Sequence, residues 1–454
     1  MDTRRSLFMY VALSSAVILL AGRSYAVPSY ARQTGLACSG CHYTPPELNP
    51  AGRRFKLMGY VDRAEDTKVV KADGGKSRAA LDLLASLPLS VMFETSFTNT
   101  RSPVPTTQNG NLQVPQDMSL FLSGAWTNHV GSFLQVTYET QSDHFTSDNT
   151  DIRYANKTKW SGKEFVYGLD LNNNPTVEDL WNDTPAWGYP WISSNVAPTP
   201  NASPIINGSL AQDVAGFGGF AMWDNHLYLN LDLYRSQHVG GPEPNPGVGS
   251  AFNIVGVAPY WRLAWQESRG KTQFEFGTYG IHMKNTPSSI NNGINDLYDS
   301  YTDWAFDTQL DQTIFRTDVL SVRGTFIHEN AALAYSCSAA VAAAAVCQHH
   351  LNTFMPDIEY HFGNRVSGTF GWFETSGTPD VLLYPSGAIA GNFNGDPRSA
   401  GYIANLSYWP WQNLLLSFQY TAYTRFNGAA NDYDGAGRNA NANNTVYLDA
   451  KFLF

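Results

Sequence analysis

Thr445-Val446-Tyr447-Leu448-Asp449-Ala450-Lys451-Phe452-Leu453-Phe454 changes character at almost every step. Side chains on a strand point alternately to its two faces. Val446, Leu448, Ala450, Phe452 and Phe454 share one face and are apolar. Tyr447, Asp449 and Lys451 share the other, with Leu453 the one mismatch. Residues 414–425 repeat the pattern: Leu414, Leu416, Phe418, Tyr420 and Ala422 oppose Ser417, Gln419 and Thr421. A strand with one face for lipid and one for a polar lumen is the unit of a transmembrane β-barrel. A soluble β-sandwich shares the alternation, but less readily ends on an aromatic residue.

Working back along the chain, period-two segments recur near 87–98, 117–127, 132–140, 149–157, 163–172, 211–223, 226–236, 259–267, 272–283, 301–309, 316–329, 352–361, 366–375, 399–408, 414–425 and 445–454. They predict an all-β fold, a 16-stranded antiparallel barrel. Short connections such as Asp224-Asn225 and Ser268-Arg269-Gly270-Lys271 alternate with long ones rich in Gly, Pro and Asn, such as 173–210, 237–258, 330–351, 376–398 and 426–444. Short turns are expected on the periplasmic side and long loops outside.

Composition agrees. Charged residues are 15% and aromatics 13% of the chain, with 12 Trp, 24 Tyr and 25 Phe, as aromatic girdles around a polar lumen require. Beyond the N-terminus no apolar run is long enough for a membrane-spanning helix. The net charge of -10 argues against a nucleic-acid partner, which needs a basic patch. Outer-membrane lipid is the expected surrounding.

Residues 1–26 read as a signal peptide: Arg4 and Arg5, an apolar stretch from Leu7 to Ala21, and Ser24-Tyr25-Ala26 as a cleavage site. Export sets the context for the four cysteines. Cys38-Ser39-Gly40-Cys41-His42 is a Cys-x-x-Cys-His run, the attachment site of one covalently bound haem c. Two thioethers would form at Cys38 and Cys41, and His42 would bind the iron. Zinc would want two further ligands nearby, and a thioredoxin-like site a βαβ context. Cys337 and Cys347 bracket a small-residue stretch and are expected to form a disulfide.

Residues 27–60 form this haem segment, too short to bury a porphyrin alone. The lumen of a barrel this size has room to cover it. Residues 61–86 read as a connector with a short helix near 79–86, and residues 87–454 as the barrel. Met58 is a possible sixth iron ligand, or else packs with Phe55 and Leu57 in a short amphipathic turn. Arg32, Arg53, Arg54 and Lys56 are candidates to pair with the haem propionates or with lumen acids. His129, His144 and His328 read as ordinary polar residues. Acids cluster at Asp143, Asp148 and Asp151, at Glu178, Asp179 and Asp183, at Asp296, Asp299 and Asp303, and at Asp432 and Asp434. Placed in outer loops, they offer weak candidate sites for ferrous iron.

Two stretches carry a family likeness. One runs from Val27-Pro28-Ser29-Tyr30 through the haem motif to Pro46-Glu47-Leu48-Asn49-Pro50-Ala51-Gly52 and Met58-Gly59-Tyr60. The other is Phe426-Asn427-Gly428, Tyr433-Asp434-Gly435 and Gly437-Arg438-Asn439-Ala440. The chain resembles the fused outer-membrane monohaem cytochrome–porins, typified by the iron oxidase of iron-oxidising bacteria. The resemblance implies a barrel-borne haem c, and the short turns, which put the start of the first strand on the periplasmic side, have the haem segment entering from that side. It implies an electron-transfer protein with iron-oxidising activity, with extracellular Fe(II) or another donor on one side. A periplasmic carrier such as a soluble cytochrome would stand on the other. A porin-type transport protein with a haem-bearing plug or redox gate is the alternative.

Overall fold

The computed structural model describes residues 28–61, 69–70, 83–84, 88–105, 107–187, 194–237, 252–286, 297–315, 317–339 and 341–454. The expected signal segment and most of the connector lie outside these residues. Within the connector Val69–Val70 pairs antiparallel with Leu83–Leu84, so Leu83 and Leu84 are extended and not part of the expected helix.

The barrel strands are β1 Leu89–Thr100, β2 Asn111–Ala125, β3 Val130–Glu139, β4 His144–Trp160, β5 Lys163–Asn172, β6 Val214–Trp223, β7 Leu227–Ser236 and β8 Ala258–Arg269. They continue with β9 Thr272–Asn285, β10 Asp299–Thr313, β11 Val319–Leu333, β12 Gln348–Phe362, β13 Val366–Gly377, β14 Ser399–Trp411, β15 Leu414–Arg425 and β16 Thr445–Leu453. Each pairs antiparallel with its chain neighbours, and β16 pairs with β1 to close the ring. All sixteen expected strands are present. Several run further toward the long-loop end than the alternation indicated: β2 begins at Asn111 and β4 at His144.

Strand β7 shows why the sheet closes on itself. Leu227, Leu229, Leu231 and Leu233 are exposed, while Tyr228, Asn230, Asp232 and Tyr234 are buried. A protein in water would invert that arrangement. Apolar outside and polar inside, with every backbone group paired in a ring, is the solution a bilayer demands. The fold is a porin-like outer-membrane barrel.

The lumen is partly filled. Helices α1 (Pro28–Thr34) and α2 (Pro50–Leu57), with the turn between them, form a plug inside the barrel. The β5–β6 connection, expected as an outer loop, folds inward instead. Leu180 and Trp181 are buried against Leu57 and Met58 of the plug. Leu48 N–H donates to the Trp181 carbonyl at 2.9 Å, and Lys56 Nζ donates to the Asp179 carbonyl and Asn182 Oδ1, both at 2.7 Å.

Three buried arginines fasten these inserts to the wall. Arg153 on β4 meets Asp151 at 2.8 Å and Glu178 of the inward loop at 2.9 Å. Arg262 on β8 meets Asp307, Glu275 and Asp179. Arg323 on β11 meets Glu47 of the plug at 3.0 Å, Asp357 at 2.6 Å and Glu359 at 2.8 Å. Charges so deep are tolerated because each has opposite charges in bonding contact.

Candidate haem site

The Cys-x-x-Cys-His run forms one tight turn: Cys38–Gly40 is a 3-10 turn, and the amides of Cys41 and His42 both donate to the Cys38 carbonyl. Helix α2 holds this turn from behind. Asn49 caps the helix, its side chain accepting from the amides of Ala51 and Gly52, while its own amide donates to the Cys41 carbonyl at 2.9 Å. Pro50 at the first helical position suits a capped start. Gly52 is where helix and motif touch: a Cβ there would lie 2.1 Å from the Cys41 carbonyl oxygen. Gly59, at φ +65°, ends the helix in the left-handed region open to glycine.

His42 Nδ1 lies 3.0 Å from the Glu47 carbonyl oxygen. A carbonyl only accepts, so Nδ1 carries the proton and Nε2 keeps its lone pair for a metal. Burial pushes the imidazole below its ordinary pKa, which favours the neutral ligating form. Burial also pushes the Cys38 thiol up to about 11.

Beside these residues lies a cavity of about 590 Å³, within the usual range for a cofactor site. The plug forms one side, through Tyr30, Leu36, Cys38, Cys41, His42 and Phe55. The barrel wall forms the other. Here the inward row is apolar on six adjacent strands: Trp409 on β14, Leu415 on β15, Leu453 on β16, Met92 on β1, Phe121 on β2 and Phe133 on β3. Leu453, the mismatch in the last strand, is thus a member of an apolar collar. An apolar lining with two thiols and a metal-ready imidazole at its edge fits a covalently held haem. Cys38 and His42 also border a smaller cavity of about 180 Å³ at the short-turn end, beside Asn364, Arg365 and Trp409 to Gln412.

Met58 is elsewhere. It caps the C-terminus of α2 and packs in the apolar cluster of Leu57, Leu180, Trp181 and Phe220. It is not among the residues lining the cavity, so the structure gives it the packing role. Of the four plug cations, only Lys56 lines the cavity. Arg32 donates to the Leu89 carbonyl, Arg53 to the Leu48 carbonyl and Gln273, and Arg54 pairs with Glu164. Cys337 and Cys347 are joined in a disulfide with Cα atoms 5.7 Å apart, in the β11–β12 loop.

Several acids read as outer-loop iron sites have structural duties. Asp151, Glu178 and Asp179 are buried around Arg153 and Arg262. Asp299 accepts from the amides of Tyr335 and Ser336, and Asp303 from that of Ile206. Burial raises Asp434, but the amides of Ile389, Ala436 and Arg438 outweigh it and hold the carboxyl below its ordinary range. Asp432 accepts from the Gly437 amide. Asp296 lies outside the described residues.

No family model matches the chain, and no curated protein does. Solved structures of similar fold include OmpF of Salmonella typhi in complex with daunomycin, at 11% identity and a TM-score of 0.49, covering 81% of this chain and 97% of that one. An anion-selective porin from Comamonas acidovorans matches at 10% identity and a TM-score of 0.44, covering 81% of this chain and 99% of that one. OmpT, an outer membrane protein of Vibrio cholerae, matches at 10% identity and a TM-score of 0.42, covering 84% and 100%. The barrel rests on its own strand pairing, not on these likenesses.

Proposed function

We propose that the chain is a fused outer-membrane monohaem cytochrome–porin. In this reading it takes electrons from an extracellular donor, Fe(II) first among them, and passes them to a periplasmic carrier. The observation that carries the proposal is the apolar collar facing Cys38, Cys41 and His42 across the cavity. A water-filled porin has no use for such a patch; a porphyrin does.

When bound, the haem would supply a one-electron couple: Fe(II) loses one electron and the ferric haem gains it. The chain supplies the rest. Cys38 and Cys41 hold the cofactor. The Glu47 carbonyl orients His42, and the collar keeps water from the ring. Lys56 is placed to meet a propionate carboxylate. The small cavity beside Cys38 lies at the turn end, where a carrier arriving from the periplasm would approach.

Solute transport is the second reading, since the barrel itself is porin-like. The plug and the inward loop occupy the lumen, so conductance in planar bilayers should be low.

The test is stopped-flow mixing of the oxidised, purified protein with ferrous iron. Reduction should be first order in iron. If iron fails where another small reductant succeeds, the donor assignment falls and the barrel cytochrome stands. If no haem survives denaturing electrophoresis, the cytochrome reading falls as well.

A further inference from the structure

The geometry points to Met92 as the sixth ligand of the haem iron, an inference that rests on the haem reading above. Strand β1 presents an inward row of Ser90, Met92, Glu94, Ser96 and Thr98; its polar members are all buried toward the lumen. Met92 is the one residue of that row that is neither a hydroxyl nor a carboxylate. It pairs in register with Leu453 of β16 and Ser119 of β2, which places it inside the collar.

The cavity has two sides, and the candidate ligands divide between them. His42 comes from the plug; Met92 comes from the wall. Iron in a porphyrin takes its axial ligands from opposite faces, so a plug histidine needs a partner from the wall. Among the described residues lining the cavity there is no second histidine. Its two lysines are engaged: Lys451 with Glu94 at 3.1 Å, and Lys56 with Asp179 and Asn182. Among the described methionines, Met92 is the one that lines the cavity. A thioether is uncharged and soft, so it can sit in an apolar wall and still bind haem iron. The arrangement makes ligation depend on docking. The plug brings the haem and one ligand, and the barrel completes the set.

The competing role is packing, with Met92 an apolar collar member like Leu415. Met92→Leu separates the two, because it keeps the bulk and removes the sulfur. The wild-type ferric protein should show the weak far-red charge-transfer band of Met-ligated haem. In Met92→Leu the band should be lost and the reduction potential should fall, with haem still covalently attached. Met58→Leu should change neither. A band that survives Met92→Leu, or is absent from the wild type, overturns the assignment while leaving the haem reading intact. Absence of any covalent haem overturns both. Should Met92→Leu fail to fold, methionine-methyl labelling of the reduced wild type decides. A strongly shielded methyl signal supports Met ligation, and its absence overturns the proposal.

Discussion

The plug meets the barrel in two contrasting ways. Toward β4, β5 and β9 to β13 it is bonded strand by strand. Tyr60 reaches Asp151, Arg54 reaches Glu164, Arg53 reaches Gln273 and Glu47 reaches Gln309 and Arg323. Thr44 reaches Ser367. Toward β14 to β16 and β1 to β3, helix α1 touches the rim through Tyr30 to the Ser132 carbonyl and Gln33 to the Ala125 amide. Beyond that rim the plug stands off from an apolar wall. Interiors are close-packed, and large voids are costly. A lumen bolted tightly on one side and gapped on the other holds a space for something specific.

The largest expected effect is on the gapped side. Cys38→Ala with Cys41→Ala should reduce haem staining after denaturing electrophoresis to background, while the barrel keeps its heat-modifiable mobility. Staining at full strength would mean that Cys38 and Cys41 do not attach the haem.

Next comes the bolted side. Arg323→Met leaves Glu47 and Glu359 buried without their cation, at a cost of about 3–5 kcal/mol. The plug should become sensitive to protease from the short-turn end, and urea should release it at lower concentration. Unchanged resistance would mean that the ion pairs do not hold it.

Gly52→Ala tests the join between helix and haem turn. The added Cβ must displace either α2 or the Cys41 carbonyl, an overpacking cost of about 1–3 kcal/mol. The yield of attached haem should fall, with barrel stability unaltered. A normal yield would show that the turn is not held by this contact.

Lys56 touches both sides. Burial first, and Arg153 second, push its amine down from 10.5 to about 7. Because the unfolded chain binds this proton up to about pH 10.5 and the folded chain only to about 7, stability should rise with pH across that window. The slope is at most about 1.4 kcal/mol per pH unit. In haem-free protein, Lys56→Met should flatten it. If a propionate faces Lys56, haem should raise the folded pKa and shrink the wild-type slope. Urea melts of the plug at several pH values measure both.

Much of this architecture was legible because lipid imposes a period. Strand β7 alternates without interruption and β16 breaks only at Leu453, and the count of sixteen follows from such strands. The ends of β2 and β4 were harder to read. In β2 the alternation of Asn111 to Val114 is broken from the rest by Pro115, and in β4 His144 to Asp148 is polar but for Phe145. The inward turn of the β5–β6 connection was invisible for another reason. Glu178 and Asp179 look like solvated loop acids until Arg153 and Arg262 are seen behind them. Within the site, Cys38, Cys41 and His42 are read from adjacent letters. Met58 drew attention by its nearness in sequence, whereas the cavity is lined from strands remote from the motif. The mismatch at Leu453 was the visible trace of the collar, a break in the inward row with no local cause.

The seam of the ring has a consequence for assembly. A barrel becomes closed when its first and last strands zip together, here β1 with β16, Met92 beside Leu453. That same seam is the middle of the cavity wall. Until it zips, the space between plug and wall is a slot open at the side. Once it zips, the slot is a chamber. If the proposed haem fills that chamber, its loading would precede closure, and the order in which the strands join would set the last moment at which it can enter.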